Sequence, residues 1–447
     1  MEMPKLGFMA ISNPRAIGHY EEGALPEESQ KALEALEKRG FRMVAREELV
    51  ADVHDVASTV DRFIAEDVDA MVLFFQGWAW AAEFMQAAQK FDRPILLWTV
   101  PLSRLWSIGG LAVVRGSFEE VGIPHKVVYG LEDNPRTMTE IWNYAQAAKV
   151  RQVLRRSTYG SIGGPGMGIH TGIIDENQWL EKFGILVRFT DQYGAVVEAE
   201  KIPPEEVRAC YDELLEIYGQ VPPLEDSRME RSIRLYLGLE KVIQQQGYDF
   251  TGVQCTFDLS DNYCSPCLAQ SLLNRRGFVT ACLNDANGAL TMYIQRQLTD
   301  APVFMADVNV VEEETRLLRM IDDGAGSPLL AKSTKEVKLD FQPTGEAKAS
   351  GIRTDLVAKP GRVTVARLSR IQGRYVMHIT TGEAFEPDPE VFGERGLFWP
   401  NAFIRLDGDP MAFVQNLRAE YYHMVYGDLK EELLETCQVL GIEPLLT

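Results

Sequence analysis

The chain has 447 residues, 46% hydrophobic and 25% charged, which excludes a disordered or fibrous protein and allows two or three domains with cores of their own. Its 45 lysines and arginines against 65 acids leave a net charge of −20, so nucleic acids and anionic membranes are not expected partners. No run approaches the ~20 apolar residues of a membrane span, MEMPKLGFMAIS is no secretory signal, and six cysteines do not make a disulfide framework, so a cytoplasmic protein is expected.

In chain order, the first third alternates strand and helix periods. Strands are predicted at 6–11, 41–45, 70–75, 94–99 and 125–128, with helices at 27–39, 50–65, 79–90 and within 108–121. This spacing predicts a parallel sheet covered on both faces, a flavodoxin-like α/β domain over residues 1–153. A second α/β domain is expected over 154–335, with helices at 176–183, 204–218 and 226–246. From about residue 336 the texture changes to short alternating runs punctuated by Gly and Pro. Runs at 363–368 and 375–380, separated by SRIQGR, predict a hairpin, and 429–440 a closing helix. The third domain, 336–447, is therefore β-rich.

Three features invite chemistry. In TACLNDANGALTMYIQRQL (280–298) an apolar run stops at Asn284, Asp285 and Asn287, and a helical pattern follows. Polar groups at a strand's carboxyl end beside a helix start are where α/β proteins place ligands. Yet Leu283, which closes that strand, neither binds a metal nor moves a proton. The glycine-rich loop 163–168 lacks the Lys-Ser/Thr of a P-loop and reads as a tight structural or sugar-contacting turn. Cys255, Cys264, Cys267 and Cys282 lie close together in sequence. They read either as a zinc, iron–sulfur or redox site or as small buried hydrophobes.

A set of ordered segments carries a family resemblance: GGPGMGIHTGIIDENQWLEKFGILVRFTDQ, DFTGVQCTFDLSDNY, ACLNDANGALTM, VFMADV, VAKPGRVTVARLSR, WPNAFIRL and YYHMVYGDLKEELLETCQVLGIE. From about Ser161 to the C-terminus, the chain resembles the L-fucose isomerase / L-arabinose isomerase superfamily. The resemblance implies an L-fucose isomerase-like fold of three domains and a homo-oligomer, a hexamer or trimer. It also implies a site between the second and third domains that a neighbouring subunit's first domain completes. The implied reaction is aldose–ketose isomerisation of a monosaccharide or sugar derivative. A divalent metal, usually manganese, polarises the substrate oxygens while carboxylates pass a proton through an ene-diol.

Carried over residue by residue, the family's strand-end glutamate falls on Leu283, and its aspartate is kept as Asp307. Its C-terminal histidine falls on Tyr421, with Glu420 in place of an asparagine, and the second histidine of that motif survives as His423. Substrate-contacting positions fall on Met167, where the arginine of GGRSMGM is Pro165. Others fall on Gln254 and Asp258 near the family's KCQPE, and on Trp399 and Asn401 where the family often has WPHAF. Manganese or magnesium held through Asp307, or no metal at all, both remain open.

The residues themselves leave further alternatives. Asp285 and Asp307 read as consecutive strand ends of a parallel sheet, hence a possible acid/base pair; Asp285 reads equally well as a helix cap. With Asp322 or Asp323 they make a conceivable all-carboxylate site suited to magnesium or calcium. Tyr421 and His423, two apart in a strand, face one side and offer a proton or a hydrogen bond; the structural alternative is a buried histidine among aromatics. The expected function is a diverged sugar isomerase-family enzyme working by proton transfer. The alternative is a non-catalytic carbohydrate-binding member, or the partner of an active relative.

Overall fold

The computed structural model describes residues 2–15, 24–101, 106–343, 350–388 and 398–447. The chain divides into two compact units, residues 1–153 and 154–447.

In the first unit, strands β1 (Lys5–Ile11), β2 (Arg42–Ala45), β3 (Ala70–Phe75), β4 (Ile95–Thr99) and β5 (His125–Tyr129) form one parallel sheet in the order β2-β1-β3-β4-β5. β3, AMVLFF, is buried at every residue, as a strand with both faces covered must be. The helix expected from residue 50 begins at Val53, because Asp52 caps it by accepting from the His54 and Asp55 amides, while Val50 bridges to Ile11. A helix at Pro135–Leu154 has no counterpart in the sequence reading. Residues 143–150 are all buried, and buried Asn143, Gln146 and Lys149 interrupt the apolar period that would mark a helix in the sequence.

The second unit opens with a parallel sheet of β6 (Thr158–Ile162), β7 (Leu186–Thr190), β8 (Phe250–Val253) and β9 (Val279–Cys282), ordered β7-β6-β8-β9. The remaining strands are β10 (Val303–Glu312), β11 (Leu317–Ile321), β12 (Lys338–Phe341), β13 (Ile352–Val357), β14 (Gly361–Ile371), β15 (Arg374–Ala384), β16 (Pro400–Leu406), β17 (Tyr421–Tyr426) and β18 (Glu443–Leu446). They run in the order β12-β13-β16-β11-β10-β17-β14-β15-β18, and a further β15–β16 pairing closes six of them into a barrel. Phe304, Ala306, Leu318, Met320, Val363, Val365, Ala402, Ile404, Tyr422 and Met424 alternate along the barrel strands and belong to one buried core. The expected hairpin is β14–β15, paired in antiparallel register from Gly361↔Ala384 to Ile371↔Arg374.

The placement of β10 differs from expectation. The sequence reading puts Asp307 at the end of a strand parallel to the one that ends before Asp285. β10 instead enters the barrel and runs antiparallel between β11 and β17. The Ala286–Leu298 helix packs against β10, β14 and β17 rather than crossing over to a parallel neighbour of β9. Among the described residues no helix is long and apolar enough to cross a membrane.

Candidate active site

The carboxyl ends of β8 and β9 lie side by side, with Val253 in register with Cys282. Immediately beyond, Leu283 and Asn284 both take left-handed backbone angles, φ 51° and 54°. A leucine in that region costs roughly 1–2 kcal/mol, so neighbouring contacts must hold the turn. Asn284 supplies them. Its Oδ1 accepts from Tyr159 Oη at 2.8 Å, its Nδ2 donates to Ser161 Oγ at 2.8 Å, and its backbone amide donates to the Val253 carbonyl at 3.2 Å.

Asp285 ends the turn by capping the following helix, accepting from the Gly288 amide at 2.9 Å. Its carboxylate is wholly buried and forms a bidentate ion pair with Arg367 of β14, the second contact at 3.1 Å. Burial opposes the charge on Asp285, but Arg367, helped by the Gly288 amide, outweighs it and holds the carboxyl below its ordinary range. Gly288 makes room for the pair, since a Cβ there would lie 2.6 Å from Asp285 Oδ2. Arg367 Nη2 and Asn287 Nδ2 both donate to the Thr171 carbonyl, at 3.3 and 2.8 Å. The ion pair thus ties the segment after the glycine-rich loop to the barrel.

That segment walls a cleft of about 480 Å³, lined by residues 167–171, Leu283, Asp307, Asp323, Glu420 and Tyr421. The barrel register explains the grouping. Asp307 of β10 stands opposite Tyr421 of β17 on one side and Ile321 of β11 on the other, so Glu420 and the Asp322-Asp323 pair follow from adjacent strand ends. Burial, with Asp323 and Glu420 adding like charge, pushes the Asp307 carboxyl up to about 7. Burial and Asp323 push the neighbouring Asp322 up to about 8, although its Oδ1 accepts from the Gly324 amide at 2.7 Å and from the Ala325 amide. Burial also raises the Tyr421 hydroxyl well above its ordinary value, so it stays protonated. Glu420 Oε1 is buried without a hydrogen-bond partner.

Of the residues singled out from sequence, the cleft gathers Asp307, Asp323, Tyr421, Glu420 and Met167. Trp399 lines the adjoining cavity, its indole donating to Gln342 Oε1 at 3.3 Å. The others are engaged elsewhere. Asp285 does not pair with Asp307, since its partner is Arg367. His423 is fully buried, its Nδ1 donates to the Ala366 carbonyl at 3.2 Å, and burial and Arg367 lower it to about 3. Gln254 lies beneath the glycine-rich loop and donates to the Thr256 carbonyl at 2.6 Å, and Asp258 is exposed beside it. Asn401 is saturated by Arg319, 2.8 Å from its Oδ1, and by the Trp399 carbonyl at 3.0 Å. The sequence reading missed Arg367 altogether; a lone arginine in a barrel strand carries no local signal for its partner. Of the conceivable carboxylate group of Asp285, Asp307 and Asp322 or Asp323, the cleft lining includes Asp307 and Asp323 but not Asp285.

The donor set does not fit the manganese site that the resemblance implies. Leu283 and Tyr421 stand where the resemblance would put two of the ligands, and among the described residues no three His, Cys, Asp or Glu side chains are placed to hold a metal ion. The same holds for the clustered cysteines: Cys255 and Cys282 touch, with Sγ atoms 3.7 Å apart, but no four-thiolate site forms.

Residues 332–446 match the family model described as L-fucose isomerase, C-terminal domain. This match and the relatives below support placing the chain in the L-fucose isomerase-like superfamily. Within that superfamily it is 24% identical over 434 residues to a sulfoquinovose isomerase of Priestia aryabhattai, covering 93% of each chain. It is 21% identical to a sulfoquinovose isomerase of Clostridium sp. (strain MSTE9), again over 93% of each. It is 22% identical to an L-fucose isomerase of Bacteroides thetaiotaomicron, over 88% of this chain and 83% of that one.

Proposed function

We propose that the chain is a sugar isomerase that interconverts an aldose and a ketose, or corresponding sugar derivatives, by proton transfer in the carboxylate cleft. The carrying observation is Asp307, a carboxyl raised to about 7 in a cleft shared with Glu420, Asp323 and Tyr421. A carboxyl poised near neutrality takes and returns a proton with little penalty in either direction. In the ionised form Asp307 removes the proton from the carbon next to the sugar carbonyl. The Tyr421 hydroxyl, held protonated, donates a hydrogen bond to the oxygen on which negative charge develops. Protonated Asp307 then returns the proton to the adjacent carbon, and a hydroxyl proton moves between the two substrate oxygens through Glu420. No step is routed through a metal, because the donor set does not fit one.

The names of the relatives support a sugar as substrate, and their shared part is isomerisation. The reading includes a homo-oligomer, as the resemblance implies, and a flavodoxin-like first unit, supported by its strand order. The test is a panel of aldoses and ketoses, including sulfoquinovose and L-fucose, incubated with the protein in deuterated water and followed by NMR. Product formation with deuterium at the carbon next to the carbonyl is the expected result. A second reading, a carbohydrate-binding member without catalysis, is favoured by Leu283 and Tyr421 at two of the family's ligand positions. Saturable sugar binding with neither product nor deuterium exchange would establish it.

A further inference from the structure

Leu283 and Asp323 each line two spaces. Beyond the carboxylate cleft lies a cavity of about 410 Å³ whose wall includes the thiols of Cys255, Cys267 and Cys282, with Phe257 and Trp399 beside them. The proposed isomerisation uses none of these thiols. Phe257 is 66% exposed, so the cavity reaches the surface. Cys255 and Cys282 are brought together by the parallel ends of β8 and β9, their sulfurs 3.7 Å apart. Cys267 is engaged separately: Gln342 Nε2 donates to its Sγ at 3.1 Å, and its thiol faces the Asp323 carbonyl at 3.6 Å. Cys210, Cys264 and Cys437 are buried and line no part of this cavity.

We propose that Cys255 and Cys282 form a thiol–disulfide exchange site for small uncharged disulfides that enter this cavity, converting reversibly to a Cys255–Cys282 disulfide. The ligand class follows from the wall. It is largely apolar and carries the carboxylates of Asp261 and Asp323, which repel anionic disulfides.

Cys255 is the attacking group. The hydrogen bond from Cys282 outweighs burial and holds the Cys255 thiol below its ordinary value, while the same contact and burial push Cys282 well up. Cys255 loses its proton and its sulfur bonds to one sulfur of the incoming disulfide. The S–S bond breaks, and the far sulfur leaves as a thiolate that takes up a proton. Cys282 then loses its proton and bonds to Cys255 Sγ, releasing the second small thiol, which is protonated in turn. The two protein thiols lose two electrons and two protons; the small disulfide gains both. Closure brings the sulfurs from 3.7 Å to about 2.05 Å and draws the ends of β8 and β9 together beside Leu283.

The test needs no sugar, so it stands or falls separately from the isomerase reading. The full chain, with six free cysteines, is incubated with 2-hydroxyethyl disulfide, alkylated, and mapped by peptide mass spectrometry. Expected are the loss of two thiols per chain, a cross-linked Cys255–Cys282 peptide, reversal by dithiothreitol, and a reaction with oxidised glutathione at least about ten-fold slower. C282S is expected to stop at a mixed disulfide on Cys255, and C255S to slow thiol loss by at least about ten-fold. Retention of all thiols in the wild-type chain while a free model thiol is consumed would overturn the proposal. So would a cross-link through Cys264 or Cys267, or undiminished reaction in C255S.

Discussion

Asp285 and Asp307 occupy two acidic regions of the second unit, one at the foot of a helix and one in a barrel strand. Asp285 is sealed in beside a guanidinium, and Arg367 is as buried as its partner. The charges bearing on half-buried Asp307 are other carboxylates, Asp323 and Glu420. Desolvation acts on both in the same sense, raising the pKa. The sign of the neighbouring charge decides the outcome, so one aspartate is a fixed anion that braces the loop and the other sits near its midpoint at neutral pH. Proximity to a strand end therefore does not make a carboxyl reactive. What matters is whether a cation has already claimed it.

The contrast breaks most sharply at Asp307. D307N is expected to lower turnover on whichever sugar the panel identifies by about 10²–10⁴-fold, with substrate binding little changed and the thermal midpoint at neutral pH raised, since the raised Asp307 carboxyl costs stability there. A loss of less than about ten-fold would move the base elsewhere. R367M attacks the other region by leaving Asp285 buried and unpaired. It is expected to cost about 3–5 kcal/mol in urea unfolding, and adding D285N should recover a large part. If the single variant is as stable as the parent, the pair does not brace the fold.

The two regions also respond to pH with opposite sign. Asp307 and Asp322 have folded values of about 7 and 8, above the unfolded carboxyl value of about 3.9. Between these limits the folded chain binds more protons than the unfolded chain, so stability falls as pH rises from about 4 to 8, by up to about 1.4 kcal/mol per pH unit for each of the two groups. D322N should flatten that slope. Asp285 is depressed, so its contribution is present above about 3.9 and is lost as pH falls below it. Urea midpoints across pH 3–9 check both signs. Activity is expected to rise through about pH 7 as Asp307 ionises. The smallest expected effect is that of chelation: dialysis against EDTA should change the rate by less than about two-fold, since no three convergent ligands lie among the described residues. Stoichiometric manganese whose removal abolishes turnover would show a site assembled in another way.

Local signals were legible wherever one element suffices. The Glu27–Arg39 and Glu176–Phe183 helices match the sequence reading residue for residue, and β3 and the β14–β15 hairpin lie where periodicity and turn residues place them. That Leu283 stands at a ligand position and Asp307 at a retained carboxylate is what the family resemblance implies, and the D307N and chelation experiments test it. The Pro135–Leu154 helix escapes the sequence pattern because it is buried on all sides over residues 143–150, with polar Asn143, Gln146 and Lys149 among the apolar residues.

By itself, then, the sequence determined the alternation of elements and the family resemblance, because these depend on residue order and spacing. Only the tertiary structure decided that β10 joins the barrel and that Asp307 meets Asp323, Glu420 and Tyr421. It alone set Arg367 against Asp285 and Cys255 against Cys282. These partners lie far apart in sequence or on different strands, and a pKa depends on burial and neighbouring charge through space. No local pattern records either quantity.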